Sequence, residues 1–470
     1  MSKRFFLPSI IFGLFLLCCG CSKDGASPDA QSFAVQGQVE LSGPGSLAEV
    51  EVQLYAASQD AQLQQAIADH PALGFSPLVP LLYDPLLQEP LVVANPDGQG
   101  GFHFEGLSAG TYVLDAVLDG YACPEPVAIT LPNNSSAGTL HLAPHQPLSG
   151  NLQDMTWPSG SVYLLEDDVL VLPDATLSIA GGVLVLVAGD YTFSVAGKIE
   201  ANGTPDDPIR FRLTADHFQT GGDWGGIKLD QAVGIGELTG VSLQGASTAL
   251  RVIGGQAQVS ECYFAAPRAF AAYFSAGAVG WLNHSVVLDG DQGLVADNCS
   301  PLFEYNLILR SSGPGITVKT NSQAEIHANA LFDCQTGIWS DWNTSALIHY
   351  NLFSGGACGL DAQDGFTAVV VYNEFLNQTQ ECIYLHVRNC YPQLQNNNFL
   401  GAPQTILHVN GNAGLQADTV FAPYNYWDGE DASGIPDRII DGHDIGSPDN
   451  PIGPVDFEPF RLEPVPGAGP

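Results

Sequence analysis

The chain has 470 residues, of which 14 % are charged and 45 % apolar, enough for two or three domains with a sizeable buried core. Its 50 acidic against 14 basic residues give a net charge of −36. That balance argues against nucleic acid and anionic lipid surfaces as partners, because both are bound through cationic side chains. It suits an exported protein and leaves room for divalent cations, while 52 Gly and 32 Pro predict many turns.

The N-terminus, MSKRFFLPSIIFGLFLLCCGCSKDG, has a basic start (Lys3, Arg4), an apolar run from Phe5 to Leu17 and small residues ending at Cys21. The run is too short for an ordinary spanning helix and has the anatomy of a signal peptide. The string LLCCGC resembles a bacterial lipoprotein lipobox, with Gly20 as the small residue before the modified cysteine, Cys21. Cys18 stands where that pattern usually has Leu. The resemblance implies a removable signal peptide over 1–20, an acylated Cys21, a polar tether over 21–32, and the membrane as a partner through the anchor. Ser22 follows Cys21 where Asp would often mean inner-membrane retention, so the implied location is the outer membrane. Plain secretion with cleavage nearby is the alternative. Seven cysteines follow: Cys123, Cys262, Cys299, Cys334, Cys358, Cys382 and Cys390. Their odd number and the lack of CxxC argue against zinc. Disulfides in an exported chain and small apolar core residues are both open readings.

Residues 33–145 alternate in short runs: Val35, Val39, Leu41; Val50, Val52, Leu54; Phe102, Phe104. Short strands with Gly-rich turns predict a small antiparallel β-sandwich. The string GQGGFHFEGLSAGTY resembles carboxypeptidase-regulatory-like (transthyretin-like) domains, which are usually non-catalytic spacer or adhesive modules. Residues 58–90 interrupt it and read as an inserted loop that begins with one short helix and packs on the sandwich; contact with a partner is the alternative. The stretch APHQPLSG (143–150) reads as a linker.

Beyond it a period appears. Asparagines that precede apolar residues recur at Asn283, Asn306, Asn329, Asn351, Asn373, Asn397 and Asn425, at spacings of 23, 23, 22, 22, 24 and 28. Glu261 and Thr239 fill the same phase earlier. A second column runs through Leu250, Leu294, Ile316, Ile338, Leu360, Ile383 and Ile406. A period of about 22 residues with short strand signals predicts a solenoid. Asn tolerates left-handed backbone and bonds nearby backbone groups, so the sequence predicts an asparagine ladder at a turn (Asn306, Asn329, Asn351, Asn373, Asn397). Phe332, Phe353, Phe375 and Phe399 are expected to stack inside, and Tyr305, Tyr350 and Tyr372 to form another column.

The opening segment SGSVYLLEDDVLVLPDATLSIAGGVLVLVAGDYTFSVAGKIEANGTPDDPIRF and the closing NYWDGEDASGIPDRIIDGHDI…GPVDFEPF resemble right-handed parallel β-helix proteins of the pectate-lyase-like superfamily. The resemblance covers about 150–460. It implies an all-β chain: a right-handed parallel β-helix of about a dozen coils, roughly 50–60 Å long at the strand spacing, behind the sandwich.

That fold carries lyases, hydrolases and inert binding rods alike, so function must be sought in side chains. The best carboxylate group for a glycosidase is Asp333, Asp341, Asp361 and Asp364. Phase puts Trp339, Asp361 and Tyr384 in one outward column, with Asp341, Trp342 and Asp364 in adjoining turns; aromatics beside carboxylates suit sugars. Arg251, a candidate lyase base, has no acid one or two coils on. His327 and His349 share a slot with Glu304 below them, a metal-binding pattern that is more often a polar ladder. No cofactor is required, though Asp428, Glu430 and Asp431 offer oxygens to calcium. The sequence therefore favours a surface-anchored, non-catalytic binding or adhesion rod for glycans. A polysaccharide lyase or glycoside hydrolase is the alternative, and a structural envelope component the second.

Overall fold

The computed structural model describes residues 32–57, 60–75, 83–230, 234–386, 390–410, 419–445 and 452–470. The expected signal peptide, Cys21 and all of the tether except Ser32 lie outside the described residues.

Eight strands open the chain: β1 (Phe33–Leu41), β2 (Glu51–Ala56), β3 (Val92–Ala94), β4 (Gly101–Leu107), β5 (Gly110–Leu118), β6 (Tyr121–Ala122), β7 (Val127–Leu131) and β8 (Ser136–Leu152). Strand alternation turns Val35, Val39, Val52, Leu54, Phe102, Phe104, Leu114 and Leu140 into one buried core, between a β1–β4–β8 layer and a layer built on β2 and β5. The sandwich is not wholly antiparallel. β1 and β8 run parallel, with Val39 opposite Leu140, because β8 is the outgoing strand.

Residues 143–150 are not a spacer but the middle of β8. Its first half pairs with β1, and His145–Leu152 pair with Val162–Val171 of the next module. One strand thus passes from sandwich to rod, bonded first to β1 and then to Val162–Val171, and so joins the two modules.

From there the chain winds into a parallel β-solenoid of about 12 turns. The first face is a sheet of 13 strands, from Met155–Trp157 to Val455–Asp456, bonded in chain order. The second runs from Leu184–Val187 to Tyr426–Trp427 and the third from Thr192–Val195 to Ile439–Ile440. Residues one coil apart lie opposite each other, so a column in the sequence becomes a column in space.

The ladder is continuous through Asn306, Asn329, Asn351, Asn373, Asn397 and Asn425, all fully buried. Each Oδ1 from Asn329 onward accepts two bonds from the preceding rung, one from the backbone N–H and one from Nδ2. Each Nδ2 also donates to a backbone carbonyl, Ile326 O in the case of Asn351. Several expectations shift. Asn283 lies on the first face between Ser260 and Glu304, in one column with Thr239. The rung below Asn306 is Ser285, whose N–H donates to Asn306 Oδ1, and Ser285 Oγ in turn takes the N–H of Cys262. A short 21-residue step from Ser285 to Asn306 is what the spacing concealed. The left-handed residue is not the asparagine but its predecessor: Tyr305, Ala328, Tyr350, Tyr372, Asn396 and Tyr424 all have φ between 51° and 61°. The asparagine that follows bonds across coils.

Inside, Phe353, Phe375, Phe399 and Trp427 stack at 4.8, 5.3 and 5.1 Å. Phe332 is out of this stack. Leu331 pairs with Phe353, and Phe332 points outward to the His70 ring at 5.7 Å. Ile406 likewise leaves its column, since Ile383 lies opposite Leu407. Of the tyrosines, Tyr350 and Tyr372 stack at 5.2 Å, while Tyr305 stacks on His284 at 5.1 Å.

The insertion forms its expected helix, α1 (Ala61–Asp69), and this helix packs on the rod, while only the later Tyr83 packs on the sandwich. Leu63, Ala66 and Leu73 cover Tyr263, Val286, Leu288, Leu307, Leu309, Ala330 and Leu352 on the second face. That outward column is apolar, and an apolar sheet face has to be covered. Asp60 caps α1 by accepting Leu63 N–H at 3.0 Å. Arg310 then joins Asp60 of the insertion to Asp289 of the rod, at 2.6 Å each, and the Leu73 carbonyl meets His284 Nδ1 at 2.6 Å. Tyr83 returns to the sandwich, donating to buried Asp115 at 2.7 Å.

Candidate functional site

The third face carries the column that phase predicts. In Cys358–Ala362 alternation buries Leu360 and turns Asp361 outward. Trp339 lies opposite Asp361, and Asp361 opposite Tyr384, with Thr317 before and His408 after. All of Trp339, Asp361 and Tyr384 are half-buried.

Neighbours fix their positions. Asp361 Oδ1 lies 3.1 Å from His386 Nε2 and accepts Gln363 Nε2 at 3.2 Å. Tyr384 meets the His386 ring edge-on at 4.0 Å and the His408 ring at 4.5 Å, and its hydroxyl accepts Asn410 Nδ2 at 2.6 Å. His408 Nδ1 is 3.5 Å from Glu381 Oε1. Lys319 Nζ sits 5.6 Å from the centre of the Trp339 ring. The arrangement offers ring surfaces beside pre-set hydrogen-bonding groups, which suits a polyhydroxylated ligand.

His386 and His408 are absent from the sequence reading. Their signal was there: His386 is two residues beyond Tyr384 in one strand, hence on the same face, and His408 continues its column. Trp342 is 56 % exposed in the turn after Trp339. Asp341 and Asp364 lie in the turns alongside, where Asp341 N–H donates to Val318 O and Asn343 N–H to Asp364 O. Asp333 does not join them. It sits in a different turn and accepts Gln62 Nε2 from the insertion, so the four acids do not form one constellation.

The other candidates resolve differently. His327 and His349 stack face to face at 4.4 Å, with Glu304 3.6 Å from His327 and Glu325 3.1 Å from His349. His327 Nδ1 and His349 Nε2 thus each meet a different carboxylate. Among the described residues no group of three or more His, Cys, Asp or Glu is placed to hold a metal. Asp428 and Glu430 turn to Arg438, at 3.6 and 2.7 Å, and Asp431 Oδ1 accepts the N–H groups of Ser433 and Gly434. The calcium candidates are therefore occupied with a cation and a turn. Arg251 lies over Tyr273, 5.8 Å from the ring centre, and Lys228 pairs with Asp230 at 2.7 Å.

A family model for the right handed beta helix region matches residues 225–367. The rod is a right-handed parallel β-helix. The matched span holds Trp339, Trp342 and Asp361, and the β-helix continues past it through Tyr384 to Val455–Asp456. No curated protein matches the chain, and no solved structure does.

Proposed function

We propose that this protein is a non-catalytic binding rod that takes a glycan chain on the third face of its β-helix. One observation carries the reading: Trp339, Asp361 and Tyr384 stand in register on three successive coils, partly open to solvent. Two strand spacings make about 10 Å, the length of roughly two sugar residues. Ring surfaces stack on sugars, and Asp361, held by His386 and Gln363, supplies a fixed acceptor for hydroxyl groups. The sandwich, similar to carboxypeptidase-regulatory-like domains, acts as a spacer, and an acylated Cys21 holds the whole to a bacterial outer membrane.

A glycan array followed by calorimetry tests the binding. Trp339→Ala should weaken any hit by about 1 kcal/mol or more, as loss of an aromatic contact does. Binding that survives both Trp339→Ala and Tyr384→Ala moves the site elsewhere, and accumulation of cleaved product makes the protein an enzyme instead. For the anchor, mass spectrometry should find Cys21 as an acylated N-terminus, and Cys21→Ser should release the protein from membranes. An unmodified N-terminus elsewhere rejects the anchor.

A further inference from the structure

The insertion does not seal the second face completely. Between it and the β-helix lies a cavity of about 230 Å³. Its walls are mostly apolar: Leu63, Leu86, Phe218, Tyr263, Ala265 and Leu288. Three carboxylates also line it: Asp60, Asp84 and Asp289. The cavity is far from the glycan column, on another face and against another module.

The acids are not equivalent. Asp60 and Asp289 share the single guanidinium of Arg310. Asp84 accepts the Leu86 N–H at 2.8 Å on Oδ1, yet among the described residues no cation lies within ion-pair distance of it. Burial pushes its carboxyl above the ordinary range, against the Leu86 hydrogen bond and the more distant Arg212. Three carboxylates against Arg310, with Arg212 only at a greater distance, leave a surplus of negative charge around an apolar space. A second feature is independent of charge: Leu63, Phe218, Tyr263 and Leu288 border the space with apolar side chains, which reward an apolar ligand body with burial.

We propose that this cavity binds a small protonated amine with an apolar body. The ammonium group, which only donates, would bond Asp84, and the body would fill the space between Leu63, Phe218, Tyr263 and Leu288. A neutral ligand would leave Asp84 unpaired, and a compact inorganic cation would leave the apolar walls empty. An anion is repelled. The ligand would touch insertion and β-helix together, so its binding would tighten the clamp over the second face.

Calorimetry on the full chain with 2-phenylethylamine tests this, with 2-phenylethanol as a neutral body of the same shape and ethylamine as a charge without the body. The amine should bind one to one, and each of the two controls about tenfold more weakly or less, as loss of a charged hydrogen bond or of the apolar contact implies. Asp84→Asn, which keeps the side-chain shape, should cost about tenfold. Ala265→Trp, which fills the space from the wall, should abolish binding. Both variants are checked for an unchanged β-strand spectrum. Absence of saturable binding by the wild type overturns the proposal, and so does equal affinity for amine and alcohol or full retention in Asp84→Asn. Because Trp339 and Tyr384 are untouched in both variants, the result is independent of the glycan reading.

Discussion

Asn351 Nδ2 lies 3.0 Å from Asn373 Oδ1, and the same oxygen accepts the Asn351 backbone N–H at 2.9 Å. One carboxamide thus closes the turn of its neighbouring coil as well as bracing its own. Asn351 repeats this toward Asn329. Replacing it with Leu leaves Ile326 O and the Asn329 N–H without partners in a dry interior. Asn351→Leu should cost about 1–3 kcal/mol, read as a lower melting midpoint. Gln393→Leu, on an exposed position of the first face, should shift it little. Equal midpoints for the two variants would sink the ladder as a source of stability.

The clamp over the second face should open in acid. Burial pushes Asp60 up, but the Leu63 N–H and Arg310 outweigh it and hold its carboxyl below the usual range. A depressed carboxylate stabilises the folded state above its unfolded pKa of about 3.9, and that contribution is lost as pH falls through the folded value. Hydrogen exchange in Ala61–Asp69 should therefore quicken below about pH 4. Asp60→Ala should loosen the helix already at neutral pH, by about 0.5–2 kcal/mol for the lost cap. Unaltered protection of α1 in acid would be evidence against this.

His349 should titrate low. Burial is the main cause, the stacked His327 adds to it, and Glu325 opposes both. A histidine whose folded pKa is depressed stabilises the fold while neutral. Its contribution is complete above about 6.5 and is lost as pH falls from there through the folded value. An NMR titration should place His349 below about 6.5, and Glu325→Gln should lower it further. A midpoint above that of a free histidine contradicts the account.

The seven described cysteines should be silent. All are buried. Burial pushes Cys334 and Cys390 up to about 11 and Cys299 up to about 12, and raises the other four as well. The thiolate is the reactive form. Alkylation at about pH 8, below the ordinary thiol pKa, should label none of the seven in the native protein, and Cys123, Cys262, Cys299, Cys334, Cys358 and Cys382 after unfolding. Native labelling of Cys382, which is fully buried, would contradict the packing.

Much of the β-helix was legible because its geometry is periodic. Equal phase means vertical alignment, so Trp339, Asp361 and Tyr384 could be placed in one column from spacing alone. The same logic failed where a coil changed length. Asn283 and Ile406 each match the average period, but Ser285 and Leu407 hold the rungs, since hydrogen bonding follows local register and not the mean repeat. Phe332 misled for a related reason: in a strand, one residue of slip exchanges the inner face for the outer.

The sequence by itself determined the β-helix, its faces and the identity of the ladder, because alternation and repeat length are local properties that stacking merely copies. Only the tertiary structure decided where residues 60–75 dock. Leu63, Ala66 and Leu73 are apolar enough to require burial, but an apolar side chain carries no record of its partner. The apolar outward column of Tyr263, Val286, Leu307, Ala330 and Leu352 looks the same in sequence as any strand buried on both faces. That it meets α1, with Arg310 between Asp60 and Asp289, depends on β8 running unbroken from sandwich into β-helix and so fixing how the insertion lies across the second face.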